Sequence, residues 1–387
     1  SDYKTGEDLD VDGVVYSYKY KIFNSDDVSV ADSEIATHID NIISGNVPKF
    51  KYVKELGHRL IQKSTIRFDT QIMSIINDQL LSHSSRIRIK SGNRDGYDKL
   101  IGNTTEMQEF NSDQKPIKLL IIPLGHWFEI GSSGVAGNGL PKIGLINTKI
   151  THELRLRKYT DLIITETGSK YVRKPKLKCK LLMGGAYVEE DERYKLAKSR
   201  LEYLTHRYQF GGEFHFSKRE VYDGNKLRVT FDFMDPTKYI YMIFGFYKKN
   251  PTTSEEEDEK FDWMSRELKD SNGNYVQSIT ETKLKFKGST RESYKDYIYY
   301  NNYHPSTRKI YGLNPGEFVY SSALNPLDFQ PSGHVNLTVI NDTTFIIKLS
   351  DEALTALDNG YVMVIKGWNY SMKILHIMSG LGGFIFD

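Results

Sequence analysis

The chain has 387 residues, of which 39% are apolar, 12% aromatic and 26% charged. That length exceeds the usual reach of one hydrophobic core and predicts two domains. Its 52 basic and 50 acidic residues leave a net charge of +2, so no bulk field directs it to nucleic acid or a membrane surface. The single cysteine, Cys179, excludes an intrachain disulfide and a Cys-based zinc site and suits a reducing compartment. No apolar run reaches the roughly 18–20 residues of a membrane helix.

The opening SDYKTGEDLD carries neither an initiator Met nor a signal-peptide pattern, as in a processed or incomplete chain. Val14–Phe23 reads as a strand. Ile35, Ile39, Ile42 and Ile43 recur at spacings that suit an amphipathic helix. His58, in the run Gly57–Ile61, reads as a half-buried strand histidine and not a ligand or base, because no partner cluster lies near it in sequence. Gly96–Asn103 follows a polar, basic stretch. Lys118–Phe128, interrupted by Pro123 and Gly125, reads as a buried strand with a bulge or edge. The four glycines of Gly131–Gly139 make no phosphate cradle, since neither GK[ST] nor a helix follows. Lys149–Leu156 alternates, and Leu177–Val188 reads as the last strand of the first half.

At Glu189 the period changes. Tyr194, Ala197, Leu201 and Leu204 share one helical face behind acids in the first turn, and the run Glu189, Glu190, Asp191, Glu192 reads as a solvated face. Lys226–Phe233 alternates and Tyr239–Tyr247 is a continuous apolar strand. Thr252–Glu259 is a charged surface loop. Tyr294–Pro305 crowds five tyrosines beside His304-Pro305; we read it as inter-subunit packing in preference to nucleic-acid stacking, because the charge is balanced. Two runs, Glu317–Leu324 and His334–Val339, flank a corner made by Asn325-Pro326 and Gln330-Pro331-Ser332-Gly333. Each Pro fixes φ and restricts the residue before it, and Gly333 offers positive φ without steric cost. Thr344–Leu349 is a strand, Ser350 caps a helix over Asp351–Asn359 that Gly360 stops, and Tyr361–Lys366 and Met372–Ile377 close the chain.

No catalytic, cofactor or metal site is predicted. The ten histidines are scattered, without HExxH, ligand pairs or a GxSxG elbow. Sequons stand at Asn103, Asn336, Asn341 and Asn369, possible glycosylation positions.

The exact words carry more than the pattern. Ala323-Leu324-Asn325-Pro326, then Gln330-Pro331-Ser332-Gly333 and Asn336, resemble the signature of the major capsid proteins of nucleocytoplasmic large double-stranded DNA viruses. The closing MKILHIMSGLGGFIF, with Gly380, Gly382 and Gly383, is similar to that family's last strand. Gly57–Ile61, Gly96–Asn103 and Glu189–Leu204 resemble further family words; the likeness implies a loop at Gly96–Asn103 and favours early strands over a helix before Arg67. Two departures stand out: the family's opening strands are missing upstream of Ser1, and Asp69-Thr70-Gln71 replaces a frequent Gly-Gly pair.

The resemblance implies an all-β double jelly roll: two consecutive eight-stranded jelly rolls over 1–188 and 205–387, joined by a helical linker over 189–204. Each half is then expected to own its core, with few apolar contacts across the linker. The implied function is a homotrimeric, pseudo-hexagonal capsomer of an icosahedral virion capsid, assembled in the host cytoplasm. Its partners would be itself, neighbouring capsomers and minor capsid proteins, with no direct nucleic-acid contact, no cofactor and no enzymatic activity. An internal membrane would be reached through minor proteins. Two alternatives remain open at this stage: a transient scaffold protein of the same fold in immature virions, and a carbohydrate-binding jelly roll with Tyr294–Tyr303 as its platform.

Overall fold

The structure is a computed structural model. It describes residues 50–110, 119–128, 139–165, 177–185, 187–248, 267–270, 272–340 and 342–385, with the backbone of four short strands before residue 50. Those four, β1 (Lys4–Thr5), β2 (Leu9–Val11), β3 (Val14–Tyr16) and β4 (Lys19–Tyr20), nest as hairpins, β1 pairing with β4 and β2 with β3. Of the strand predicted over Val14–Phe23, the described residues Val14–Tyr16 and Lys19–Tyr20 are in strands, and the rest lies outside the described residues. Ile35–Ile43, Asn341, residues 131–138 of the glycine loop and Thr252–Glu259 lie outside the described residues.

In the first half, β6 (Ile61–Phe68) pairs with β7 (Gln71–Ile76) and β8 (Ile150–Leu156), while β5 (Phe50–Tyr52) pairs with β9 (Ile163–Thr165). The β6–β7 turn is made without the Gly-Gly pair, because Asp69 itself takes φ 50°, a region that Asp tolerates better than most residues. A helix, Asp78–Arg88, follows; Leu80 N–H donates to the Asn77 side chain at 2.9 Å as its N-cap.

Several expectations need correction here. His58 sits in the short Leu56–Leu60 helix, fully buried, not on a strand. Gly96–Asn103 is helical over Arg94–Ile101 and is closed by Gly102 at φ 72°, so the predicted loop is an αL-capped helix. Residues 119–128 join no ladder; they have no regular secondary structure and end in a turn, with Gly125 at φ 66° and Trp127 buried. The described part of Leu177–Val188 is also unpaired, and Leu177, Leu181, Leu182 and Met183 are exposed. The linker helix spans only Glu190–Lys198 and buries none of its residues. Leu201 and Leu204 belong to the next strand, whose β-bonded pairing overrides their helical spacing.

The second half is a complete sandwich. One sheet has the order β10 (Leu201–Phe216), β18 (Tyr361–Met378), β12 (Pro236–Lys248), β15 (Glu317–Ser321), with β16 (Val335–Asn336) on β12 and β19 (Leu381–Phe384) on β18. The other has the order β11 (Lys226–Phe231), β17 (Thr343–Leu349), β13 (Ile279–Phe286), β14 (Ser289–Asp296). Every pairing is antiparallel, and the chain crosses between sheets from β10 to β11, β12 to β13, β14 to β15 and β17 to β18. The chain crosses again from β11 to β12 and from β16 to β17, and that wrapping is a jelly roll. The two closing strands predicted separately are the single strand β18, and His334–Val339 yields only β16 before a helical turn over Leu337–Ile340.

Strand β12 reads as a continuous apolar run because both of its faces are buried. Ile240, Met242, Phe244 and Phe246 point into the sandwich with Leu227, Val229, Phe231, Phe345, Ile347, Met363 and Ile365. Tyr239 and Tyr241 alternate to the outer face, where they join Tyr208, Trp368 and Tyr370. This outer aromatic face is covered by Ile61, Ile76, Leu80 and Leu81 of the first half. A second mixed cluster puts Ile66, Phe68, Met73, Trp127 and Leu145 against Leu375, Ile377 and Phe384. Each half has an apolar cluster of its own, but two further clusters are built by both halves, so the apolar contact across the boundary is more extensive than expected.

Candidate functional site

The buried boundary between the halves is where the chain concentrates its polar chemistry. From the Asp78–Arg88 helix, Arg86 reaches across to Glu317 of β15, and its Nε–H donates to the Gly312 carbonyl at 3.2 Å. Glu317 also accepts from the Tyr241 hydroxyl at 3.1 Å and from the Asn314 N–H at 2.9 Å. Burial raises the Glu317 pKa, an effect that Arg86 opposes. One turn earlier on the helix, His83 stacks on Tyr241 with centroids 3.6 Å apart and planes at 15°. Burial, and then Arg86 and Arg88, push the His83 pKa well down. Arg88 donates to the Tyr370 hydroxyl at 2.9 Å.

The predicted corner lies over the start of β12. Asn325 N–H donates to Ser332 Oγ at 2.7 Å, Ser332 Oγ donates back to the Asn325 carbonyl at 3.1 Å, and Pro326 is buried. Gly333 takes φ 128°, as expected, and a Cβ there would lie 3.1 Å from the Ser322 carbonyl oxygen. Gln330, Pro331 and Gly333 face solvent. The corner also holds a buried cation. Lys238 donates to the Asp328 carbonyl and stands 3.2 Å from His206 Nε2. Burial and Arg88 lower the Lys238 pKa to about 8. Burial, then Lys238 and Arg88, lower that of His206 to about 3. The lysine thus keeps its proton and donates to a neutral imidazole.

The closing glycines form a separate structure. Ser379 and Gly380, at φ 55° and 84°, make the two-residue turn between β18 and β19, the positive-φ pattern that hairpins favour. The turn docks on the first half: Asn147 N–H donates to the Gly380 carbonyl at 2.9 Å and Gly382 N–H to Thr148 Oγ1 at 3.0 Å. A Cβ on Gly380 would lie 2.6 Å from Asn147 Nδ2, and one on Gly382 only 2.3 Å from Leu145 Cδ2. On Gly383 it would lie 2.9 Å from Gln71 Oε1. All three glycines permit close approach between the halves.

The sequons differ in access. Asn369 is fully buried, with Nδ2–H donating to Thr237 Oγ1 at 2.7 Å, which leaves no room for a sugar. Asn103 donates to Asp98 at 3.2 Å, and Asn336 is exposed. His58 has two partners: Glu55, only three residues earlier and overlooked in sequence, at 2.8 Å, and the Tyr97 hydroxyl, distant in sequence, at 2.9 Å. Among the described residues no group of three His, Cys, Asp or Glu is placed to hold a metal. The seam residues His83, Arg86, Arg88, Lys238 and Glu317 were not singled out from sequence. A strand as apolar as Tyr239–Tyr247 was the available signal, since it predicts burial on both faces.

Two family models match in tandem. "Major capsid protein N-terminus" matches residues 27–178, and "Large eukaryotic DNA virus major capsid protein" matches residues 192–383. The chain belongs to the major capsid protein family of large DNA viruses. Among curated relatives, the major capsid protein of Pyramimonas orientalis virus is 23% identical over 91% of this chain and 81% of its own length. The major capsid protein of Lymphocystis disease virus 1 is 23% identical over 83% of this chain and 72% of its own length. A longer relative, probable capsid protein 3 of Acanthamoeba polyphaga mimivirus, is 26% identical over 50% of this chain, which spans only 9% of it. Among solved structures, the PBCV-1 virus capsid protein aligns with a TM-score of 0.63 at 17% identity, covering 88% of each chain. The Faustovirus major capsid protein aligns at 0.55 and 10% identity, over 97% of this chain and 79% of that one. These likenesses show the fold, a double jelly roll.

Proposed function

We propose that this capsid protein forms a homotrimeric capsomer in which each copy supplies two wedges, residues 1–188 and 205–387, joined by the linker over 189–204. The observation that carries this reading is the side-by-side docking of the halves through the outer face of the β10-β18-β12-β15 sheet, built by Tyr239, Tyr241, Trp368 and Tyr370. Repeating that arrangement head to tail closes a ring of six wedges from three identical chains, through contacts between unlike surfaces. Such a block tiles an icosahedral facet, and its partners are neighbouring capsomers and minor capsid proteins. Assembly in the host cytoplasm, free of nucleic-acid contact, fits the balanced charge. The role is structural, with no enzymatic step and no cofactor. Asn336, exposed at the end of β16, is the sequon suited to carry a glycan.

The test is the mass of the purified chain by light scattering at micromolar concentration and neutral pH. A trimer is the expected result, and a clean monomer counts against the capsomer. Particles that contain the chain should show it in the outer shell by cryo-electron microscopy.

A further inference from the structure

Two cations stand at the boundary between the halves without an acid. Other bases there are matched: Arg86 by Glu317, Arg207 and Lys373 by Asp235, and Arg59 and Arg157 by Asp78. Among the described residues, Arg88 of the Asp78–Arg88 helix and Lys238 of β12 form no ion pair. Their partners are neutral. Arg88 donates to the Tyr370 hydroxyl at 2.9 Å, and Lys238 donates to the Asp328 carbonyl and lies 3.2 Å from His206 Nε2.

The two cations gather at one ring. The Arg88 guanidinium lies 5.3 Å from the centre of Tyr370 and the Lys238 ammonium 5.9 Å from it. Ring faces attract cations, but two like charges at one ring still repel, and a buried charge is stable only when it is paired. Asp328, the one acid whose field reaches Lys238, is exposed and beyond ion-pair range. Two nitrogens in the same cluster are also unused: Arg88 Nε and His83 Nδ1 are sealed from solvent and have no partner. His83 packs edge-on against Tyr208, and Tyr208 and Tyr239 both pack on Tyr370. Lys238 is fully buried, whereas Arg88 is half-buried, so the side of Arg88 is where a small ion can enter.

We propose that a small monovalent anion of the halide class, chloride, binds between Arg88 and Lys238 and compensates both. The Arg88 Nε–H and the Lys238 ammonium are the donors that hold it. A halide suits this place better than an oxyanion, because a nearly sealed, ring-lined surround offers too few donors for a strongly hydrated ion. One cation belongs to the helix of the first half and the other to β12 of the second, so the ion fastens the two halves to each other.

The experiment is thermal unfolding at constant pH and ionic strength, with sodium chloride replacing sodium gluconate. The wild-type melting temperature should rise by a few degrees along a saturating curve, because the ion binds the folded chain and not the unfolded one. Lys238→Met and Arg88→Met each remove one of the two cations, and each variant should lose the chloride dependence. A wild-type melting temperature that is the same in both salts would overturn the proposal. So would a chloride gain that both variants keep in full. Where a variant does not fold, wild-type crystals grown in sodium bromide decide the matter. Anomalous scattering is expected within hydrogen-bond distance of Lys238 Nζ or Arg88 Nε, and bromide bound only elsewhere on the chain would rule the site out.

Discussion

At the scale of single residues, the family glycines separate into those that space requires and those that it does not. Gly380 combines φ 84° with a would-be Cβ only 2.6 Å from Asn147 Nδ2, so Gly380→Ala meets both backbone strain and a clash. It should cost about 1–3 kcal/mol, read as a fall in the urea midpoint at constant slope. Gly333→Val is expected to cost a similar amount, about 1–3 kcal/mol, since φ 128° is closed to a β-branched residue. Gly96 gives the opposite case. It lies inside the Arg94–Ile101 helix with nothing within 4 Å of a Cβ, so Gly96→Ala should stabilise by about 0.5–1 kcal/mol. A melting temperature that moves the same way for Gly96 and Gly380 would contradict this division. Gly333 was legible in sequence because Pro and Gly punctuate a turn locally. The role of Gly380 and Gly382 was not, because the atoms that crowd them, in Leu145 and Asn147, lie more than two hundred residues earlier in the chain.

At the scale of elements, the Asp78–Arg88 helix is the piece that joins the halves, through the buried Arg86–Glu317 pair. Arg86→Met would leave Glu317 buried beside Tyr241 with no cation, a change expected to cost about 3–5 kcal/mol. Adding Glu317→Leu should recover most of that loss, since replacing both partners by apolar residues removes the uncompensated charge. Equilibrium unfolding of the two single variants and the double variant measures the coupling; additive losses would mean that the pair does not interact. This helix and its neighbour were misread or unread in sequence for a physical reason. Their residues are judged by partners on β12, β15 and β18, and no local spacing reports those. Strands β11, β12 and β17 were legible because alternation or continuous apolar runs fix which faces are buried. The span Leu201–Leu204 illustrates the limit: its spacing fits a helix, but pairing with Ile374–Ile377 of β18 decides the outcome.

At the scale of the whole molecule, the buried boundary should make the fold sensitive to acid. His83, His126 and His206 are buried neutral, with pKa values pushed down by burial first and by nearby charges second, to about 3 for His126 and His206. The unfolded chain binds these protons near 6.5, so their contribution is complete above that pH and is lost as pH falls towards about 3. One buried acid opposes the trend. Burial raises Glu267 to about 7, so it favours the folded state as pH falls from about 7 to 4.5; burial raises Glu317 as well, against the pull of Arg86. Burial also lowers His152 and His304, so the histidines outnumber the opposing acids and stability declines as pH falls from 6.5 to 4.5. Below 4.5 the unfolded chain takes up those acid protons too, and the opposition ends. Glu55 then joins the histidines: burial would raise it, but His58, Arg86 and Arg59 outweigh that and hold it at about 2. His126, His206 and Glu55 alone then favour unfolding by about three protons, about 4 kcal/mol per pH unit, against a total stability on the order of 5–15 kcal/mol. A shallow decline to pH 4.5 followed by a cooperative collapse between about 4.5 and 3 is the expected curve for chemical denaturation across pH. His206→Gln, which removes one of the protons, should move the acid midpoint lower. A midpoint that stays in place, or a stability flat from pH 7 to 3.5, would mean that these histidines are not held neutral between the two jelly rolls.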